Sequence, residues 1–296
     1  MKTIEKHPMI MIVIGVIGIS LSSIFVKYSS APSAVTAAYR LFWTVVLMTP
    51  TAIGKRETRS EIAGMGKRSF GLSVLSGLFL ALHFWTWFES LQHTSVASST
   101  TIVCTEVIWV SLGYWLFMKG KLPVRAIGAI AVTLIGSVMI AFADSKAQGA
   151  HLYGDMLALL AAVAVAIYVL IGKAVRSSIS TTAYTYVVYV SCAAALLVIS
   201  AAQGQKLTGY GMSALVVGLL LAVFSTILGH SIFSWCLKYF SPSFVSASKL
   251  CEPVAASVLA GFLFGETPVL MQVLGGVLII GGVLYYSRIE RLNAED

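Results

Sequence analysis

Residues 95–117 read SVASSTTIVCTEVIWVSLGYWLF, and residues 243–264 read SFVSASKLCEPVAASVLAGFLF. Each stretch is long enough to cross the ~30 Å hydrocarbon layer of a bilayer as a helix. Each also carries one carboxylate near its midpoint, Glu106 in the first and Glu252 in the second. An ionisable side chain at mid-bilayer costs about 2.5–3.5 kcal/mol on insertion scales, so it must face protein, water or a solute and not lipid. Both glutamates are therefore candidate functional residues, and the segments that carry them belong to a protein that works within the membrane.

The remainder of the chain has the same character. Hydrophobic residues make up 58% and charged residues 11% of its 296 positions, too little charge to clothe a water-soluble domain. Apolar runs recur at roughly Pro8–Ser29, Pro32–Ile53, Phe70–Gln92, Ser95–Phe117, Pro123–Ala143, Leu152–Ala174, Ser180–Ala202, Met212–Leu237, Ser243–Phe264 and Pro268–Ser287. They predict an all-α membrane protein of ten transmembrane helices in a lipid bilayer, with connections of no more than about fifteen residues. That leaves no room for a soluble catalytic or nucleotide-binding domain. The first run is longer than the roughly 7–15-residue core of a signal peptide, so the small residues at Ala31–Ser33 are not read as a cleavage site.

The net charge of +8 does not point to nucleic acid once its distribution is followed. With the N-terminus in the cytosol, the inner segments hold Lys2, Lys6, Lys55, Arg56, Arg59, Lys67, Arg68, Lys119, Lys121, Arg125, Lys173, Arg176, Lys238, Arg288 and Arg291. The outer segments hold only Lys27, Lys146 and Lys206. Positive charge collects on the cytosolic side of multi-pass proteins, which predicts a plasma (inner) membrane protein with both termini in the cytosol. Cys104, Cys192, Cys236 and Cys251 all fall within apolar runs and lack a Cys-x-x-Cys or zinc-type spacing, so they read as packing residues, with no metal and no cofactor expected.

The polar stretch Asp144–His151 divides the runs into five and five, residues 1–143 and 152–296 flanking a linker at 144–151. An odd number of crossings turns the second half upside down relative to the first. Thr36-Ala37-Ala38-Tyr39-Arg40 resembles Thr181-Thr182-Ala183-Tyr184-Thr185 at an offset of 145, His83 precedes His230 by 147, and Glu106 precedes Glu252 by 146. These near-constant offsets predict two inverted five-helix repeats, an arrangement that places a substrate site near the midplane and permits alternating access. Gly15, Gly18, Gly261, Gly265 and the pairs Gly275-Gly276 and Gly281-Gly282 suit close helix packing.

These residues resemble the drug/metabolite transporter superfamily in its ten-helix EamA-type branch. The resemblance is carried in the second half by Gly229-His230, Lys238-Tyr239, Phe244-Val245-Ser246, Glu252-Pro253-Val254, Gly265-Glu266 and Gly275-Gly276-Val277-Leu278-Ile279. In the first half Pro32, Arg40, His83-Phe84, Ser90-Leu91 and Thr94-Ser95-Val96-Ala97-Ser98 carry it, while Lys119-Gly120-Lys121 stands where the pattern closes on Gly-Glu. The resemblance implies a transporter with cytosolic termini that exports amino acids or other small metabolites. Two positions depart from it: Glu106 with Val107 stands where an uncharged residue followed by proline is expected, and Lys249 stands where an apolar residue is expected. The opposite charges can pair with each other, or Lys249 can pair with Glu252 three positions along its own helix.

Helical spacing places Ser95, Ser98, Ser99, Thr105, Glu106 and Trp109 on one stripe, and Ser241, Val245, Ser248, Lys249, Glu252 and Ala256 on another. Both stripes suit the wall of a cavity, and Pro253 predicts a broken or kinked helix beside Glu252. Glu106 is expected to meet the substrate or a coupling proton, and Glu252, in its Glu-Pro setting, to be architectural. Arg40 is either an interfacial anchor or a clamp for a substrate carboxylate. Tyr39 and Tyr184 accompany it as repeat-related partners. His83 and His230 are either proton relays or hydrogen-bonded contacts between helices. Trp85, Trp87, Trp109, Trp115 and Trp235 suit an aromatic cavity wall or an interfacial belt.

The expected activity is secondary active transport of a small-molecule substrate by alternating access, an amino acid moving outward being the first candidate and protons the candidate coupling ion. An exporter of organic cations or drugs is the alternative, and a polytopic membrane enzyme a remote one. No Gly-x-x-x-x-Gly-Lys-Ser/Thr loop supports direct use of ATP and no His-Glu-x-x-His motif supports zinc hydrolysis. Monomer and dimer are both compatible with the sequence.

Overall fold

Hydrocarbon offers no partner for a backbone N–H or C=O, so a chain of this composition satisfies its peptide groups within helices. The computed structural model describes residues 8–94, 96–144, 152–255, 258 and 269–295, and no strand occurs among them. The first half contains α1 (Pro8–Ser20), α2 (Ser22–Lys27), α3 (Ser33–Ala52), α4 (Arg56–Ala63), α5 (Lys67–His93), α6 (Val96–Cys104), α7 (Glu106–Met118) and α8 (Val124–Asp144). The second contains α9 (Leu152–Val175), α10 (Thr181–Ala202), α11 (Gly211–Leu220), a π-helical segment (Leu221–Ser231), α12 (Ile232–Cys236), α13 (Pro242–Lys249) and α14 (Leu270–Glu295).

Among the described residues, seven helical stretches are long and apolar enough to cross a membrane: Pro8–Lys27, Lys67–His93, Ser98–Met118, Leu152–Val175, Thr181–Ala202, Gly211–Cys236 and Leu270–Glu290. The protein is therefore a multi-pass membrane protein. Ten crossings were expected. Helix α3 has the length but carries Arg40, four threonines and Pro50, and in α8 the apolar helix Val124–Ile140 is shorter. The run expected at Ser243–Phe264 is helical in α13 and again from Glu252 to residue 255, and most of its remainder, with Gly261, Gly265 and Glu266, lies outside the described residues. So do Ser95, Lys2, Lys6 and the linker at 145–151.

Local sequence sets the ends and breaks of these elements. Ser180 and Ser241 are N-caps whose hydroxyls accept the Ala183 and Phe244 N–H at 3.3 and 3.1 Å, and Pro242 occupies the first turn of α13, where its missing N–H costs nothing. A proline ring clashes with the carbonyl four residues earlier. For Pro253 that is Lys249, where α13 ends, and helix resumes at Glu252. No proline breaks the corresponding run at Thr105, whose N–H and hydroxyl both bond the Ile102 carbonyl, at 3.0 and 2.6 Å.

The helix contacts come in matched pairs. Helix α5 packs on α9 as the π-helical segment packs on α1; α5 packs on α10 as α11 packs on α3; α6 packs on α8 as α13 packs on α14. Three further contacts join corresponding runs directly, α3 with α10, α7 with α13, and α8 with α14. The last pair approaches backbone to backbone: a Cβ on Gly136 would lie 2.6 Å from the Gly275 carbonyl oxygen, and one on Gly275 would lie 2.7 Å from that of Gly136.

Polar ties gather at one end of the bundle. Glu61 accepts the Ser180 N–H at 2.7 Å and also its hydroxyl, and Glu290 accepts the Ser241 N–H at 3.1 Å and its hydroxyl at 2.5 Å. Lys173 Nζ donates to the Leu237 and Phe240 carbonyls at 2.8 and 2.9 Å, and Arg176 Nε donates to that of Ser234 at 3.2 Å.

The close approach of α8 and α14 is testable on a single helix. Gly275→Leu is expected to cost on the order of 1–3 kcal/mol by overpacking. Gly281→Ala, where an added Cβ meets nothing within 4 Å, is expected to leave the Tm of the detergent-purified protein within a degree or two of the parent value.

Candidate functional site

A cavity of about 40 Å³ lies between α1, α2, α3, α5, α6, α7, α9, the π-helical segment and the end of α13. Its walls include Ser22, Arg40, His83, Trp87, Thr100, Cys104, Glu106, Ser225, His230, Lys249 and Glu252, with Ile19, Val103 and Val165 as the apolar part. The space suits on the order of three water molecules.

Helix ends hold the charges. Lys249 Nζ donates to Glu106 Oε1 at 2.8 Å, and the two residues are only 8% and 4% exposed. Glu106 opens α7 and Lys249 closes α13. A helix N-terminus carries partial positive charge and a C-terminus partial negative charge, so each side chain sits at the end that favours its sign. Of the two pairings open to Lys249, the structure therefore makes the one between the halves. Glu252 also opens a helical stretch, but it is only half-buried and faces the cavity. Arg40 and Lys249 are matched in number by Glu106 and Glu252 on the cavity wall.

Arg40 is 1% exposed, so its guanidinium is enclosed by protein and does not reach solvent. Its Nε donates to Thr226 Oγ1 at 2.7 Å and its Nη1 to Ser22 Oγ at 3.3 Å, and the guanidinium lies 4.0 Å from the centre of the Phe84 ring. Among the described residues its Nη2 has no hydrogen-bond partner. Trp87 Nε1, Thr100 Oγ1 and Ser225 Oγ, on three other residues of the cavity wall, are likewise buried and without a partner among the described residues.

His83 Nδ1 stands 3.0 Å from the Ala161 carbonyl on α9. A carbonyl only accepts, so Nδ1 carries the proton and ties α5 to α9. The ring stacks on Trp87 at 5.9 Å and 15°, and its centre is 6.3 Å from that of His230. His230 in turn meets Phe84 edge-on at 5.1 Å and Tyr168 at 6.0 Å. The histidines thus belong to one packed aromatic cluster.

The structure brings together Arg40, His83, Trp87, Glu106, His230, Lys249 and Glu252. It does not place Tyr39, Thr105, Trp109, Tyr184 or Ser248 on the cavity wall. Trp109 is 38% exposed on the outer face. Glu106 and Trp109 are three residues apart in α7, about 60° from each other around the helix, and only Glu106 reaches the cavity. Trp115 is exposed as well. The hydroxyls of Thr105 and Ser248 bond their own helix, to the Ile102 and Phe244 carbonyls at 2.6 and 2.9 Å. Tyr184 is buried against Ser76 at 2.6 Å, and Tyr39 donates to the Leu207 carbonyl at 2.5 Å near the surface. Ser22, Thr100 and Ser225 escaped the sequence reading because each lies beside other hydroxyl residues in an apolar run, and residue type alone does not say which of them faces inward. Among the described residues, no group of three His, Cys, Asp or Glu side chains is placed to share a metal ion.

Comparison with known proteins adds an independent line. The chain is 28% identical over 225 residues, 72% of its length and 73% of the relative's, to a protein of Salmonella typhimurium named as a probable amino-acid metabolite efflux pump. It is 23% identical over 273 residues, 92% and 93% of the two chains, to an uncharacterized transporter of Archaeoglobus fulgidus. A crystal structure 13% identical in sequence superposes with a TM-score of 0.79 over 97% of this chain and 98% of that one, a likeness of fold alone. The EamA-like transporter family matches twice, at residues 7–142 and 152–288. With nearly all of its length matched in this way, the chain belongs to the EamA-like transporter family of the drug/metabolite transporter superfamily.

Proposed function

We propose that this protein is a secondary transporter that exports a small organic metabolite, an amino acid in the first place, by alternating access across the inner membrane. The observation that carries this reading is the charged, balanced cavity buried among apolar helices, with Arg40 available to a carboxylate and Glu252 to an ammonium group. The name of the Salmonella relative agrees with it. The role expected of Glu106 passes to Glu252, because Glu106 is already engaged by Lys249. Glu252 is then also the site for a coupling proton.

The matched helix contacts support two inverted five-helix repeats, and a cavity this small suits an intermediate between the two open states of such a transporter. By the distribution of basic residues, the end closed by Glu61, Glu290, Lys173 and Arg176 is cytosolic. An organic-cation exporter is less well supported, since of the tryptophans expected to form an aromatic wall only Trp87 lines the cavity. Transport and not covalent turnover is the proposed activity.

A green fluorescent protein fused after Asp296 is expected to fluoresce and an alkaline phosphatase fused there to stay inactive, whereas the reverse pattern refutes cytosolic termini. Glu106→Gln or Lys249→Met is expected to cost about 3–5 kcal/mol in thermal unfolding by stranding a buried charge. The exchange Glu106→Lys with Lys249→Glu is expected to recover only part of that, because each charge then faces the wrong helix end. In proteoliposomes loaded with an amino acid panel, Glu252→Gln is expected to slow efflux at least tenfold; unchanged efflux of every substrate that the parent protein carries counts against its role.

A further inference from the structure

Buried polar atoms in folded proteins nearly always have a partner, so each exception asks for an explanation. Among the described residues, four such atoms belong to side chains of residues that line the cavity of the site: Arg40 Nη2, Trp87 Nε1, Thr100 Oγ1 and Ser225 Oγ. The first two can only donate, and the hydroxyls can donate. A cluster of donors around a guanidinium is complementary to an acceptor-only group of negative charge. We propose that this cavity is a carboxylate-binding subsite formed by Arg40, Trp87, Thr100 and Ser225, and that Thr226 is the positioning residue that aims Arg40 at it. The assignment deepens the exporter reading and rests on it for the identity of the substrate, while the binding chemistry stands on the geometry alone.

The role of Thr226 follows from the backbone around it. Its hydroxyl accepts from Arg40 Nε at 2.7 Å and donates its own proton to the Leu221 carbonyl five residues earlier at 3.3 Å. That i to i−5 spacing belongs to the π-helical segment, as does the bond from Ser231 Oγ to the Thr226 carbonyl at 3.2 Å. π-helical turns are rare and occur mostly at functional sites. Here the wide turn places Ser225 on the cavity wall and Thr226 beside the guanidinium. Ser22 holds Nη1 and the Phe84 ring covers one face, so Nη2 is the group left for a ligand.

Binding is tested on the detergent-purified full chain by calorimetry and thermal shift with matched probes: N-acetylalanine and N-acetylphenylalanine, which carry a carboxylate and no ammonium, against their amides. The acids are expected to bind and stabilise, and the amides to bind at least tenfold more weakly. Thr226→Val is expected to raise the Kd for the acids about tenfold without changing that for the amides, and Thr226→Ser, which keeps the acceptor, to restore the parent value. Trp87→Phe, which keeps the ring on His83 and removes the N–H, gives a second variant should Thr226→Val fail to fold, with a selective loss of acid binding expected. Equal binding of acid and amide, or binding of neither, overturns the subsite and leaves the cavity to ordered water. Loss of acid and amide binding together in Thr226→Val overturns the positioning role. Amino acid efflux from proteoliposomes is scored separately: discrimination between acid and amide without any efflux sinks the exporter reading and keeps the subsite, and efflux without discrimination does the reverse.

Discussion

The ion pair between Lys249 and Glu106 is the constraint on which the rest of the site depends. Either charge alone at this depth is costly, and pairing offsets that cost only when geometry and surroundings cooperate. Here the surroundings are two interrupted helices. Because α7 begins at Glu106 and α13 ends at Lys249, the carboxylate sits at the partly positive end of one helix and the ammonium at the partly negative end of the other. The breaks make the charges tolerable, and the charges in turn bond one broken helix to the other. The midpoint of the bundle is thereby held at a fixed distance by a short hydrogen bond of 2.8 Å.

That pairing leaves Glu252 and Arg40 as the charges with chemistry to spare. Glu252 is the counterpart of Glu106 in position along the chain, and both open a helical stretch after a break. Their environments differ because the cation stands on one side only: Lys249 is the residue that α13 presents to α7. A pair of equivalent carboxylates thus becomes one structural and one accessible group through a single added lysine. Arg40 is asymmetric as well, since Thr185 stands at the matching position of the second half.

Close packing and open backbone are combined in the same helices. Gly18 would place a Cβ 2.7 Å from the Phe224 carbonyl, so α1 lies directly against the π-helical segment. The wider turn of that segment exposes hydroxyls toward Arg40 while its neighbours stay in tight contact. Gly136 and Gly275 bring α8 and α14 together in the same way, away from the cavity. Small residues are the means by which apolar helices gain van der Waals contact where lipid removes any hydrophobic drive between them.

Composition and periodicity sufficed for the all-helical membrane class, the location of most helical runs, the break beside Pro253 and the burden that Glu106, Lys249, Glu252 and Arg40 place on the packing. These were legible because hydrocarbon penalises every charge and every unpaired peptide group, so exceptions stand out residue by residue. The direction in which a side chain faces was not. Trp109 faces outward although it lies within one turn of Glu106 in α7, and nothing in the local residue types announces that direction. Ser22, Thr100, Ser225 and the grip of Thr226 on Arg40 depend on which helix lies opposite, and on a π-helical turn that apolar residues do not encode. The choice between the two partners of Lys249 was likewise tertiary: helix spacing permits both, and only the packing of α7 against α13 brings Glu106 within 2.8 Å. Sequence determines which groups cannot face lipid, and the packed structure decides which of them face one another.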